Sequence, residues 1–129
     1  MTAQKNLETL ERFDIRTPET CKGLVTEDFV WHFFNPLRAD LQGDYHGIDG
    51  LSRFFRQLAE MSDATFKVVP QDAWPLGDEL VVAHTKNSFG EGAGRHEFDV
   101  AVIWRFRDGK VAEVWDIPSV YVGHPPETA

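Results

Sequence analysis

Glu97-Phe-Asp-Val-Ala-Val-Ile-Trp-Arg-Phe-Arg107, then Asp108-Gly109, then Val111-Ala-Glu-Val-Trp-Asp-Ile117: this stretch decides the fold. In its first part Phe98, Val100, Val102, Trp104 and Phe106 alternate with Asp99, Ala101, Ile103, Arg105 and Arg107. Period 2 with one apolar face is the pattern of a strand that covers a core. Asp108-Gly109 favours the positive φ angles of a two-residue hairpin turn, so residues 111–117 return as an antiparallel strand. We take the apolar face as the concave side of the sheet.

Working back along the chain, the same period holds over residues 79–89 and 65–74. Pro70 breaks the second of these runs and implies an edge or a bulge. Before residue 65 the period changes to 3.6. Ile48, Leu51, Phe54, Phe55, Leu58 and Met61 form one stripe of a helix over about 48–61, with Arg53, Arg56, Gln57 and Glu60 opposite. Gly43-Asp-Tyr-His-Gly47 reads as a turn leading into it. Asp28–Phe34 is aromatic and β-branched, stops at Asn35-Pro36, and reads as a strand. Leu7, Leu10 and Phe13 mark a helix over 4–13. A second helix opens at Thr17-Pro18-Glu19, with Thr17 as its cap, and runs to about Val25. Three helices followed mostly by hairpin-linked strands make an α+β domain with helices on one face of the sheet.

A chain of 129 residues is the size of one domain, and no repeat or linker divides it. Only the tail after Val122 reads as disordered. Twenty-one acidic against 13 basic residues give a formal charge of −8, which repels phosphate backbones and anionic lipid. Nucleic acid and membrane surfaces are therefore poor partners. The single cysteine, Cys21, excludes an intrachain disulfide and a Cys-based zinc site. It lies on the apolar side of a short helix without a nearby His, as a packed thiol does. MTAQKNLETL lacks the pattern of a secretory signal, and no apolar run approaches the roughly 20 residues of a membrane helix. The expected location is the cytoplasm. The five His residues show no metal-ligand spacing, so neither metal nor cofactor is expected. His46, His96 and His124 fall in turns or the tail and are expected to be exposed. Gly90–Gly94 joins two strands and opens no helix, so it is no phosphate cradle.

Glu27-Asp28-Phe-Val-Trp-His, Gly43-Asp-Tyr-His-Gly47, the Phe54-Phe55 helix and Trp104-Arg-Phe-Arg-Asp-Gly-Lys-Val-Ala-Glu-Val-Trp-Asp116 follow in an order and spacing that carry a resemblance. Over roughly residues 5–122 the chain resembles the SnoaL-like polyketide-cyclase group of the nuclear-transport-factor-2-like, or ketosteroid-isomerase-like, superfamily. The resemblance implies a single domain over 1–129: a cone-shaped curved antiparallel or mixed sheet wrapped around a pocket and closed by three helices from the N-terminal half, a cystatin-like α+β barrel. It also implies a homodimer joined through the outer sheet surface, with Trp115 a candidate for that interface.

Matching the strands to the isomerase pattern turns Trp31 and Phe33 inward and His32 outward. The same match turns Val82, His84 and Lys86 inward on strand 79–89, and Val114 and Asp116 inward on the last strand. With Phe98, Val100, Val102 and Trp104 these would line a site for a small hydrophobic molecule, with Tyr45 as a further polar group. An aspartate at the position of Asp116 is the general acid/base of the cyclases that this sequence resembles. Beside Trp and Val its carboxylate is poorly solvated, so its pKa should rise toward working pH. His84 would be its proton-relay partner, and Lys86 would sit at the rim.

The resemblance also fails in places. At the positions of the ketosteroid isomerase base, acidic donor and tyrosine stand Phe33, Val102 and a residue near Thr9, so steroid isomerisation by that mechanism is not expected. The epoxide hydrolases need an Asp-Arg-Asp set, of which Asp116 supplies one member at most. Three readings remain open: an isomerase or cyclase acting by acid/base chemistry on a hydrophobic carbonyl compound, a non-catalytic domain binding a hydrophobic ligand, or a structural adaptor dimer with a filled core.

Overall fold

The computed structural model describes residues 2–121. The expected disorder of the tail, and His124, lie outside these. Helix α1 (Thr2–Arg12) and a 3₁₀ helix (Pro18–Leu24) lead into strand β1 (Val25–Phe33). Strand β2 (Gly43–His46), helix α2 (Gly47–Met61) and strands β3 (Lys67–Leu76), β4 (Leu80–Phe89), β5 (His96–Arg107) and β6 (Lys110–Pro118) follow. The six strands form one sheet in the order β2-β1-β6-β5-β4-β3. β1 and β6 are parallel and every other pair is antiparallel.

The deciding hairpin forms as its residues dictate. Asp108 and Gly109 both take positive φ, 54° and 79°, and the two strands pair from Arg107↔Lys110 to Val100↔Pro118. β3 is an edge strand whose register shifts between Pro70 and Asp72, since proline donates nothing to a ladder. Three local expectations change. Gly43–His46 is a short strand paired with β1, not a turn. Pro18–Leu24 winds as 3₁₀, and Thr17 makes no side-chain cap; Thr20 Oγ1 instead donates to the Thr17 carbonyl at 2.7 Å. The sheet also keeps two free edges, β2 and β3, so it is an open cone and not a closed barrel.

The concave face holds the core. Phe29, Trp31, Phe33, Val100, Val102, Trp104, Phe106, Val111 and Val114 are buried, and Ile48, Leu51 and Phe54 of α2 cover them. Rings interlock at one end of the cone: Trp104 meets Phe13 and Trp31 edge-on at 5.1 and 5.6 Å, and Phe55 meets Trp31 likewise. Asn6 of α1 donates from Nδ2 to the Asp78 carbonyl at 2.9 Å, which ties this helix to the β3–β4 turn. Gly90, at φ +85°, closes the β4–β5 connection so tightly that a Cβ there would lie 2.4 Å from the Gly94 carbonyl oxygen.

Candidate active site

Asp116 sits near the end of β6 with Phe33 of β1 on one side and Val102 of β5 on the other. All three side chains project into the cone and are buried. Trp31, one inward position back along β1, donates its indole N–H to Asp116 Oδ2 at 3.2 Å. Oδ1 receives no donor from the described residues. Burial pushes the carboxyl pKa up from 3.8 to about 7, and the Trp31 hydrogen bond opposes that rise only in part. A carboxyl group poised at neutrality, one oxygen fixed and the other open, is equipped to accept and return a proton.

Asp116 borders a pocket of about 310 Å³. Phe33, Leu41, Leu58, Phe66, Phe98 and Val100 supply its apolar wall, and Leu37, Met61 and Phe89, exposed large hydrophobics, form its rim. Its polar lining comprises Asp116, Asn35, Arg38, Asn87, His96 and the residues Ser62 and Ser119. Arg38 is held by Asp40 through two bonds of 3.0 and 2.6 Å, so that pair brings little net charge to the mouth. His96 stacks on Phe89 with ring centroids 5.1 Å apart, at the pocket border and not in an exposed turn as expected.

Of the residues expected in the site, Phe33, Phe98, Val100 and Asp116 border the pocket. Trp31, Val102, Trp104 and Val114 face inward but lie in the packed part of the core, away from the pocket surface, except that the Trp31 N–H reaches Asp116. Alternation assigns a face and says nothing of depth along the strand, and here the large rings fill one end. Tyr45 is buried against Phe54 and spends its hydroxyl on the Leu41 carbonyl at 2.5 Å.

His84 and Lys86 are misplaced by the sequence reading. The antiparallel register sets Ala83 opposite Val102 and His84 opposite Ala101, and cross-strand partners share a face. Val82, His84 and Lys86 therefore point outward. There His84 Nε2 and Lys86 Nζ meet Asp99 Oδ1 at 2.8 and 3.1 Å. His84 cannot relay a proton to Asp116 across the sheet. The inward residues of β4 are Val81, Ala83, Thr85 and Asn87, and Asn87, buried at the pocket wall, is one of the polar residues the sequence reading missed, with Asn35, Arg38, Ser62, His96 and Ser119. Among the described residues no three His, Cys, Asp or Glu side chains group as a metal site.

Comparison with known proteins adds a family and a fold. A model of the SnoaL-like domain matches residues 7–114. No curated protein matches. Among solved structures, Bal32a, from a soil-derived mobile gene cassette, is 22% identical with a TM-score of 0.78, covering 92% of each chain. TerC, co-crystallised with polyporic acid, is 21% identical with a TM-score of 0.74, covering 89% of this chain and 92% of that one. An NTF2-like protein of unknown function from Burkholderia pseudomallei K96243 is 21% identical with a TM-score of 0.70, covering 87% and 88%. At these identities the likeness is one of fold.

Proposed function

The chain belongs to the SnoaL-like domain family, and from that premise we propose that it is a small-molecule enzyme, an isomerase or cyclase acting without a cofactor on a hydrophobic carbonyl compound. The observation that carries this reading is the Asp116 carboxyl, buried beside an apolar pocket with its pKa pushed up to about 7 and Oδ2 held by Trp31. In the proposed step Oδ1 takes a proton from a carbon next to a carbonyl. The C–H electron pair moves into the enolate, and the carboxyl becomes neutral. Returning the proton to a different carbon gives isomerisation. Attack of the enolate carbon on a second carbonyl of the same molecule gives cyclisation, and Asp116 then protonates the new alkoxide. His84 and Lys86 take no part.

A pocket beside Asp116 supports this reading over an adaptor with a filled core. The homodimer and the cytoplasmic location belong to the same proposal. The test is solvent-deuterium incorporation into a panel of aryl ketones and poly-β-carbonyl compounds, followed by mass spectrometry. Asp116→Asn is expected to lower exchange by roughly 10²-fold or more, in the range of a general acid/base contribution. Equal exchange by the two proteins would leave a non-catalytic binding domain as the better reading.

A further inference from the structure

Asn87 gives the pocket a second polar pole. It stands inward on β4 opposite Phe98, is 8% exposed, and borders the pocket. Its Oδ1 accepts a hydrogen bond from Thr85 Oγ1 at 2.8 Å, which fixes the orientation of the amide. The remaining group is Nδ2, a donor with two N–H bonds and no partner among the described residues. Nor is it one of the sealed, unsatisfied side-chain atoms of the described interior, which agrees with the place of Asn87 on the pocket lining. A buried amide held by its own acceptor and presenting only its donor is built to receive an oxygen.

Asp116 pairs with Val102 and Asn87 with Phe98, four residues along the intervening β5, so the two polar groups stand at different heights on the concave face and border one pocket. Resting on the Asp116 reading above, we infer that Asn87 is a binding residue for the ligand, its Nδ2 donating to a carbonyl oxygen of the hydrophobic compound in the pocket.

The test compares two probes of matched shape, 6-acetyl-2-naphthol and 6-isopropyl-2-naphthol, by titration calorimetry. The native protein is expected to bind the ketone about tenfold more tightly, one hydrogen bond's worth. Asn87→Leu should reduce that preference to within about twofold and leave the isopropyl compound's affinity unchanged. Asn87→Asp keeps the acceptor for Thr85 and the shape of the side chain, so it guards against a folding defect in the leucine variant. It should abolish or reverse the preference. Asp116→Asn should retain it, which separates this inference from the catalytic one. A ketone preference that survives both Asn87 substitutions overturns the inference, as does no preference in the native protein or no saturable binding of either probe.

Discussion

Asp116, the proposed acid/base, weakens the fold once it ionises. Its carboxyl ionises at 3.8 in an ordinary setting and at about 7 in the folded chain. Between those values the folded state keeps a proton that the unfolded chain has released. Stability therefore falls as pH rises across that window and levels off above it. Integrated over the window, the cost approaches about 4 kcal/mol as an upper limit, which water entry and relaxation reduce. Asp116→Asn removes the charge and keeps an oxygen for the Trp31 N–H. The variant is expected to be more stable than the native protein at pH 8 by about 2–4 kcal/mol and to lie within about 1 kcal/mol of it at pH 4.5, as read by urea unfolding. A stability difference of the same size at both pH values would mean that the carboxyl is ionised normally, and the poised acid/base would be lost with it.

At the scale of elements, a clip on the outer face joins three strands. His32 of β1 lies 2.6 Å from Asp44 Oδ1 of β2 and 2.6 Å from Glu113 Oε2 of β6, and its ring stacks on Trp115. Burial disfavours the imidazolium, but the bonds it donates to Asp44 and Glu113 outweigh that, so its pKa lies above the usual 6.5. The stabilisation is complete below 6.5 and is lost as pH rises through the folded-state value. His32→Phe keeps a ring on Trp115 and removes both donors. It should cost about 1 kcal/mol at pH 5.5, a figure reduced for solvent screening, and less than half of that at pH 9. A penalty independent of pH would assign His32 to packing alone. Elements also set the limit of what the sequence displays. The β5–β6 hairpin is legible because its apolar and polar faces separate cleanly and Asp108-Gly109 fixes the turn. β4 is not: Leu80-Val-Val-Ala83 is apolar on both faces, and each face then carries polar residues, Thr85 and Asn87 on one, His84 and Lys86 on the other. With no contrast, period 2 cannot choose a side, and a family pattern chose the wrong one. The signal that decides it is cross-strand. Asp99 was already outward on β5, and pairing Phe89 with His96 across the glycine connection brings both His84 and Lys86 to Asp99. Asp116 was placed inward by the resemblance alone: the β5–β6 register shifts between Arg105 and Phe106, so alternation counted from the turn would set it outward, while its raised pKa follows from its apolar neighbours.

For the whole molecule, an open sheet with a packed concave side leaves its convex side to be covered or wetted. The register groups Val82 with Ile103, Ile103 with Trp115, and Ala101 with Ile117 on that side, a continuous apolar band across β4, β5 and β6. Ile117 is 40% exposed, whereas Trp115 is already half covered by His32 and by Arg105, whose guanidinium lies 5.1 Å from its ring centre. The proposed homodimer would bury this band, with Ile103 at its middle and Trp115 and Ile117 on its β6 side. Each chain carries a formal charge of −8, so two copies repel at low ionic strength and associate better when salt screens them. Sedimentation equilibrium is expected to give twice the chain mass in moderate salt, with weaker association at low salt. Ile117→Lys places a charge in the band without opening the core and should give the monomer mass with an unchanged far-ultraviolet dichroism spectrum. Because the band and the pocket lie on opposite faces, Asn87→Leu should not alter the mass, and Ile117→Lys should retain the ketone preference of the pocket. A native chain that stays monomeric at about 100 μM in moderate salt, where even a weak micromolar dimer would be populated, rules the outer face out as an interface.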